Sequence, residues 1–259
     1  FMLIIWLQGI WLPLHGYSFQ ETPLWAGIYL LPLTIGFLVA GPLSGFLSDR
    51  WGARLLATAG LLVAAASFLL LMVLPVDFAY PAFAALIFLN GIGSGLFSAP
   101  NIAGIMNSVP PGQRGAAGGL QSTATFAGMT LSIGIFFSLM VQGLSGPLKN
   151  ALFTGLHGHG VPVQLATAIS SIPPVGSLFA AFLGYNPLGT LLSEFGVKPS
   201  QLPPGTYELL TSKEYFPGLI SSAFHQGLLV VFAMAAGMMV LAAICSILRG
   251  GRSIYVEAP

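Results

Sequence analysis

The sequence predicts an all-α polytopic membrane protein, and three observations carry that prediction. Only 8 Lys+Arg and 7 Asp+Glu occur in 259 residues, 6% of the chain, where a soluble domain carries roughly a quarter. Hydrophobic residues make up 55% and the mean hydropathy is +0.87, which excludes disorder as firmly as it excludes a solvated exterior. The apolar residues also fall into runs of about 20, the length a helix needs to cross the hydrocarbon core of a bilayer. The 33 Gly and 19 Pro fit the same class, since both are commoner in transmembrane helices than in soluble ones.

Six runs meet the length test: a short first one over 1–15, then 24–47, 54–75, 81–107, 116–142 and 222–248. Polar or proline-bearing breaks separate them at Glu21-Thr22-Pro23, Ser48 to Ala53, Val76-Asp77 and Ser108 to Arg114. The chain therefore divides into five helices over 1–142 with a motif loop at 45–54, a long outside loop over 143–221, and a last helix with its tail over 222–259. Arg50, Arg54, Arg114, Arg249 and Arg252 all follow the second, fourth and sixth runs. The positive-inside rule makes that side cytoplasmic and places both termini there, in the plasma membrane. Lys149, Lys198 and Lys213 sit in the long loop, whose length exempts it from the rule. Within that loop Val175 to Leu192 is apolar enough to compete as a seventh span. Asn186-Pro187 breaks it, however, and an extra crossing would put Arg249 and Arg252 outside, so it is expected to lie on the surface or re-enter.

A formal charge of +1 gives no case for nucleic-acid binding. Cys245, the single cysteine, is expected to be a buried, inert thiol. The start at Phe1 lacks the basic n-region of a signal peptide and reads as a chain cut from something longer.

The most informative string is Gly45-Phe46-Leu47-Ser48-Asp49-Arg50-Trp51-Gly52-Ala53-Arg54. Gly41 and Gly45, four apart, would clear one helix face for close approach. Asp49 is placed to cap the third span, where its charge meets the positive end of the helix dipole. Gly52 permits a tight turn, and Arg50 and Arg54 offer fixed charge to carboxylates or exposed carbonyls. Basic residues alone would mark an ordinary inside loop; the complete string argues for more.

On this string the chain resembles the major facilitator superfamily, which carries such a loop between the second and third helices of each six-helix half. Ala53 departs from the pattern, standing where the family often has a basic residue. The second inside loop, Pro110-Pro111-Gly112-Gln113-Arg114-Gly115 onward, is similar to the C-terminal half of the fourteen-span drug:proton antiporter branch. The long outside loop and the ending Leu248-Arg249-Gly250-Gly251-Arg252 look like actinobacterial members. The resemblance implies a fold of inverted three-helix repeats, a missing N-terminal half as partner, alternating access, and hydrophobic or cationic small molecules as substrates. It also implies a conformational latch made by Gly45, Asp49, Arg50, Gly52 and Arg54, with Arg114 and Gly115 in the second loop.

No Asp, Glu, Lys or Arg falls well inside any run, so proton coupling is not assigned to this chain. Neutral cavity-lining candidates are Trp6, Gln8 and Trp11 in the first run, Asn90 and Asn101 in the fourth, and Gln121 and Thr125 in the fifth. Helix-to-helix hydrogen bonds or interfacial aromatics would account for each of them as well. Gly91-Ile92-Gly93-Ser94-Gly95 lacks the strand and lysine of a phosphate loop and reads as close helix packing. His157-Gly158-His159 supplies two ligands only, so no metal is expected, merely a flexible loop. His225 is expected to be a satisfied interfacial histidine, and Pro32 and Pro100 to bend their helices. No cofactor is called for. The leading reading is half of a proton-driven multidrug efflux permease. The alternative is a non-transporting membrane scaffold or binding protein that uses its outside loop. A membrane enzyme ranks third, because no His/carboxylate or Ser/His/Asp set is visible.

Overall fold

Lipid offers no partner for backbone N–H and C=O groups, so apolar runs of this length must satisfy them within helices. The computed structural model describes residues 1–183 and 185–248, without the side chains of Asp49, Ala181 and Phe182. Among the described residues the chain is helical throughout, with no strand.

The helices are α1 (Met2–Leu14), α2 (Thr22–Tyr29), α3 (Leu31–Trp51), α4 (Ala53–Leu71), α5 (Tyr80–Asn107) and α6 (Arg114–Gly158). Four short helices follow: α7 (Val163–Ser170), α8 (Pro174–Phe182), α9 (Leu188–Glu194) and α10 (Thr206–Thr211), before α11 (Tyr215–Leu248). Five stretches are long and apolar enough to cross a membrane, namely Thr22–Ser48, Ala53–Leu71, Tyr80–Asn107, Pro111–Gly158 and Tyr215–Leu248. A sixth is reached if α7 and α8 count as one broken or re-entrant span, bent by 82°. The first predicted run forms only the short α1.

Three boundaries depart from the sequence reading. α3 continues through Asp49 and Arg50 to Trp51, so the motif string is mostly helix and not link. α6 passes 142 and runs to Gly158, while α11 begins at Tyr215. The stretch between these two long helices is thereby shortened, and Lys149 rides on α6. The Val175 to Leu192 stretch does not form a continuous helix. α8 ends at Phe182, and Asn186 anchors the restart: its Oδ1 accepts from Leu188 N at 3.0 Å, and its Nδ2 donates to the Leu210 and Ser212 carbonyls at 2.8 and 2.7 Å.

The chain forms two compact units, described separately. One comprises Leu30–Leu74, Phe78–Ile135 and the chain from Phe232. Here α5 packs against α3 and α4 with backbones nearly touching. A Cβ on Gly95 would lie 2.8 Å from the Phe37 carbonyl, and one on Gly93 would lie 2.6 Å from Ala64 N. Gly91 would overlap the Leu33 carbonyl, and Gly36 the Phe88 carbonyl. The Gly91–Gly95 string is thus a packing device, as expected: Gly91 and Gly95 serve α3, and Gly93 serves α4. Two hydroxyls bridge the helices, Ser44 Oγ to Gly95 O at 3.1 Å and Ser67 Oγ to Leu86 O at 2.9 Å. Small residues and side-chain hydroxyls are what hold helices together where lipid removes the hydrophobic drive. Thr58 Oγ1 lies 2.9 Å from Ser246 Oγ, joining α4 to α11, and Phe68 meets Phe232 at 5.9 Å.

The expectation for Gly41 and Gly45 is corrected: a Cβ on either would meet nothing within 4 Å. The close approach on α3 uses Gly36 and the backbone around Phe37 and Ala40. Cys245 is exposed on α11, not buried.

The other unit comprises Phe1–Tyr29, Pro75–Asp77 and Phe136–Val231. Leu144, Leu148, Leu152 and Leu156 recur every four residues on α6, all at most 1% exposed. A Cβ on Gly143 would lie 2.8 Å from Gly227 Cα, which fixes how closely α6 and α11 run. That contact explains why Gly143, Gly146 and Pro147 do not end the helix: tertiary packing outweighs their low helix propensity.

Candidate functional site

The motif string is set by its glycine. Gly52 has φ +87 and serves as both the C-cap of α3 and the N-cap of α4, its N–H closing on the Ser48 carbonyl at 2.9 Å. A side chain in that left-handed region is strained, so the turn expected at Gly52 is observed. Asp49 is not the N-cap of α4; its backbone lies in the last turn of α3, and its side chain is outside the described set. Arg50 and Arg54 are exposed, and the Arg50 guanidinium stands 5.2 Å over the Phe46 ring. Trp51 is 65% exposed beside them. Arg249 and Arg252, expected on the same face, lie outside the described residues. Arg114 and Gly115 open α6 and are exposed.

The cavity candidates fall into two sets. Trp6, Gln8 and Trp11, in the unit that includes Phe1–Tyr29, are 0%, 8% and 5% exposed. Gln8 and Trp11 lie in a π-helical segment, Leu7–Trp11, inside α1; such bulges recur at functional sites, and sequence periodicity does not reveal them. Trp6 Nε1 donates to the Val76 carbonyl at 3.3 Å. Trp11 stacks on His15 at 3.9 Å and meets Tyr29 edge-on at 5.6 Å. Tyr17 and Trp25 complete this aromatic group, with the Tyr17 and Tyr29 hydroxyls 2.7 Å apart. His15 Nδ1 lies 2.8 Å from the Trp11 carbonyl and its Nε2 3.5 Å from Asp77. Nearby, the Ser18 hydroxyl and backbone N–H hold the Glu21 carboxyl below the usual carboxylate range.

In the unit that includes Phe78–Ile135, Asn90 is 7% exposed and its Nδ2 has no hydrogen-bond partner among the described residues. An unmet buried donor costs about 1–3 kcal/mol. Asn101 is half-buried. Gln121 and Thr125 share a face of α6 as expected, but Thr125 Oγ1 bonds only the Gln121 carbonyl of its own helix at 2.9 Å.

His157 and Gly158 finish α6 and do not form a loop. His159 Nδ1 lies 2.7 Å from the Gly155 carbonyl and 3.1 Å from the Tyr215 hydroxyl. Among the described residues no three His, Cys, Asp or Glu side chains could hold a metal. His225 is not satisfied: its Nδ1 is buried without a partner among the described residues.

Long apolar helices, glycine-lined packing and an arginine-bearing turn define a multi-pass helical membrane protein. The Major Facilitator Superfamily model matches residues 1–133, and the chain belongs to that superfamily of membrane transporters. It is 32% identical over 171 residues to the methyl viologen resistance protein SmvA of Salmonella typhimurium, covering 62% of this chain and 32% of that one. It is 26% identical over 183 residues to the tetracenomycin C resistance and export protein of Streptomyces glaucescens, covering 69% and 32%. It is 27% identical over 124 residues to the riboflavin transporter RibZ of Clostridioides difficile, covering 48% and 27%. The chain spans about a third of the length of these curated relatives. No solved structure matches it significantly.

Proposed function

We propose that the chain forms the C-terminal six-helix half of a fourteen-span, proton-driven exporter of hydrophobic or cationic compounds. In this reading it works by alternating access against an N-terminal half, in the plasma membrane, with both termini cytoplasmic. The observation that carries the reading is the likeness, over 62% and 69% of the chain, to two relatives named for resistance or export. The motif turn supports it. Gly52 fixes two helix ends within one residue of each other, so Asp49, Arg50 and Arg54 stand where a latch between inside helix ends would be made or broken. Trp6, Gln8, Trp11, Asn90, Asn101, Gln121 and Thr125 are neutral, which suits contact with apolar or aromatic substrates and leaves proton handling to the other half.

Two measurements test this. The coding sequence upstream of Phe1 should contain six or eight further spans and a second Gly-x-x-x-Asp-Arg-x-Gly loop; a nearby stop and start codon would point instead to a stand-alone scaffold or binding protein. In the full transporter, Asp49→Asn should slow cycling, read as a lower maximal transport rate at unchanged expression. Unchanged kinetics would remove the latch role.

A further inference from the structure

Between α6 and α11, within one compact unit, lies an open cleft of about 510 Å3. Gly146, Asn150 and Thr154 line it from α6, and Ser222, Ala223 and Gln226 from α11. Gly146, Asn150 and Thr154 are four residues apart, as are Ser222 and Gln226, so each set occupies one helix stripe. The buried Leu144, Leu148, Leu152 and Leu156 row lies on the opposite face of α6. Polar side chains on facing membrane helices ordinarily bond to one another. Here the missing side chain of Gly146 and the small Ala223 leave a gap, and none of the four polar groups bonds another described residue.

The cleft volume falls in the range of small-molecule sites. Two amides and two hydroxyls each offer both donors and acceptors, and no charged side chain lines the cleft. The four polar residues are exposed, and an ion placed among them would find no counter-charge. An uncharged molecule with several hydroxyls would be met at each end.

We propose that this cleft binds a small neutral polyol such as a sugar, either free or borne on a lipid headgroup. The site shares no residue with the motif turn or the cavity candidates and does not depend on the export reading. Gly146→Cys tests it in a Cys245→Ser background, because a Cβ at 146 meets nothing within 4 Å. Gly158→Cys, equally open, serves as the control. The protein in phosphatidylcholine nanodiscs is labelled with a small maleimide in the presence of glucose or sucrose, or with glucosyl diacylglycerol in the disc. Protection by the soluble sugars identifies a free ligand, and protection by the glycolipid alone identifies a headgroup. Only the empty fraction reacts, so a neutral polyol at about ten times its dissociation constant should slow labelling at 146 about tenfold, and Asn150→Leu or Gln226→Leu should abolish the slowing. Four results would overturn the site: no slowing by any neutral polyol, equal slowing at 158, equal protection by gluconate and glucosamine, or a thiol at 146 that never reacts because protein covers the cleft.

Discussion

Two glycine-rich stretches of this chain look alike in sequence and do opposite things in space. In α5, Gly91, Gly93 and Gly95 face the backbones of α3 and α4 so closely that no Cβ fits. In the first half of α6, Gly115, Gly119, Gly128 and Gly134 face nothing within 4 Å, and Leu120, Phe126 and Leu131 are 74%, 68% and 66% exposed. In the first case glycine is a contact surface. In the second it only lowers helix propensity on a face that lipid or another protein segment must cover. Glycine content therefore marks a membrane helix, while the neighbouring backbone decides whether a given glycine matters.

That contrast can be broken most sharply with one substitution at each site. Gly91→Ala should destabilise by about 3 kcal/mol, because its Cβ must displace the Leu33 carbonyl and backbone cannot yield as a side chain can. Gly128→Ala should stabilise by up to about 1 kcal/mol, since alanine is the better helix former and space is free. Thermal unfolding of the two variants in nanodiscs should give shifts of opposite sign; shifts of the same sign would erase the distinction. A finer version uses hydroxyls. Ser44→Ala removes a bridge between α3 and α5 and should cost about 0.6–1 kcal/mol, whereas Thr125→Ala removes a bond within α6 alone and should leave the midpoint unchanged.

The smallest effect concerns pH and lies outside both stretches. Glu21 has its carboxyl held below the ordinary range by Ser18, so the stability it contributes is present above its unfolded value and is lost as pH falls through the lower folded one. The group is fully exposed, and the change should appear only as loosening of the α1–α2 connection. Ser18→Ala should move the Glu21 titration upward, as read by NMR of the carboxyl carbon.

Much of the fold was legible because hydropathy reports the dominant force directly. The runs 81–107 and 222–248 each lie within an observed helix, 54–75 is helical as far as Leu71, 24–47 is shared by α2 and α3, and Gly52 marks the turn it was expected to mark. What was not legible depends on neighbours. Gly143, Gly146 and Pro147 read as a helix end, yet α6 continues because Gly143 packs on Gly227. Gly41 and Gly45 have the right spacing for close packing, but a Cβ on either would meet nothing within 4 Å, which spacing alone cannot tell. Of the candidate site, the residue types were visible; the burial of Trp6 and Asn90 and the polar cleft at Asn150 and Gln226 were not, because each arises from residues distant in sequence, and the π turn around Gln8 leaves no mark in residue periodicity.

The central claim is that this chain supplies one half of a coupled transporter and no complete transport path. The direct measurement is drug-dependent proton flux in reconstituted vesicles, with the 259-residue chain alone and with the N-terminal half co-reconstituted. The account predicts flux only when both halves are present. Flux from the chain alone, above that of empty vesicles, would contradict it.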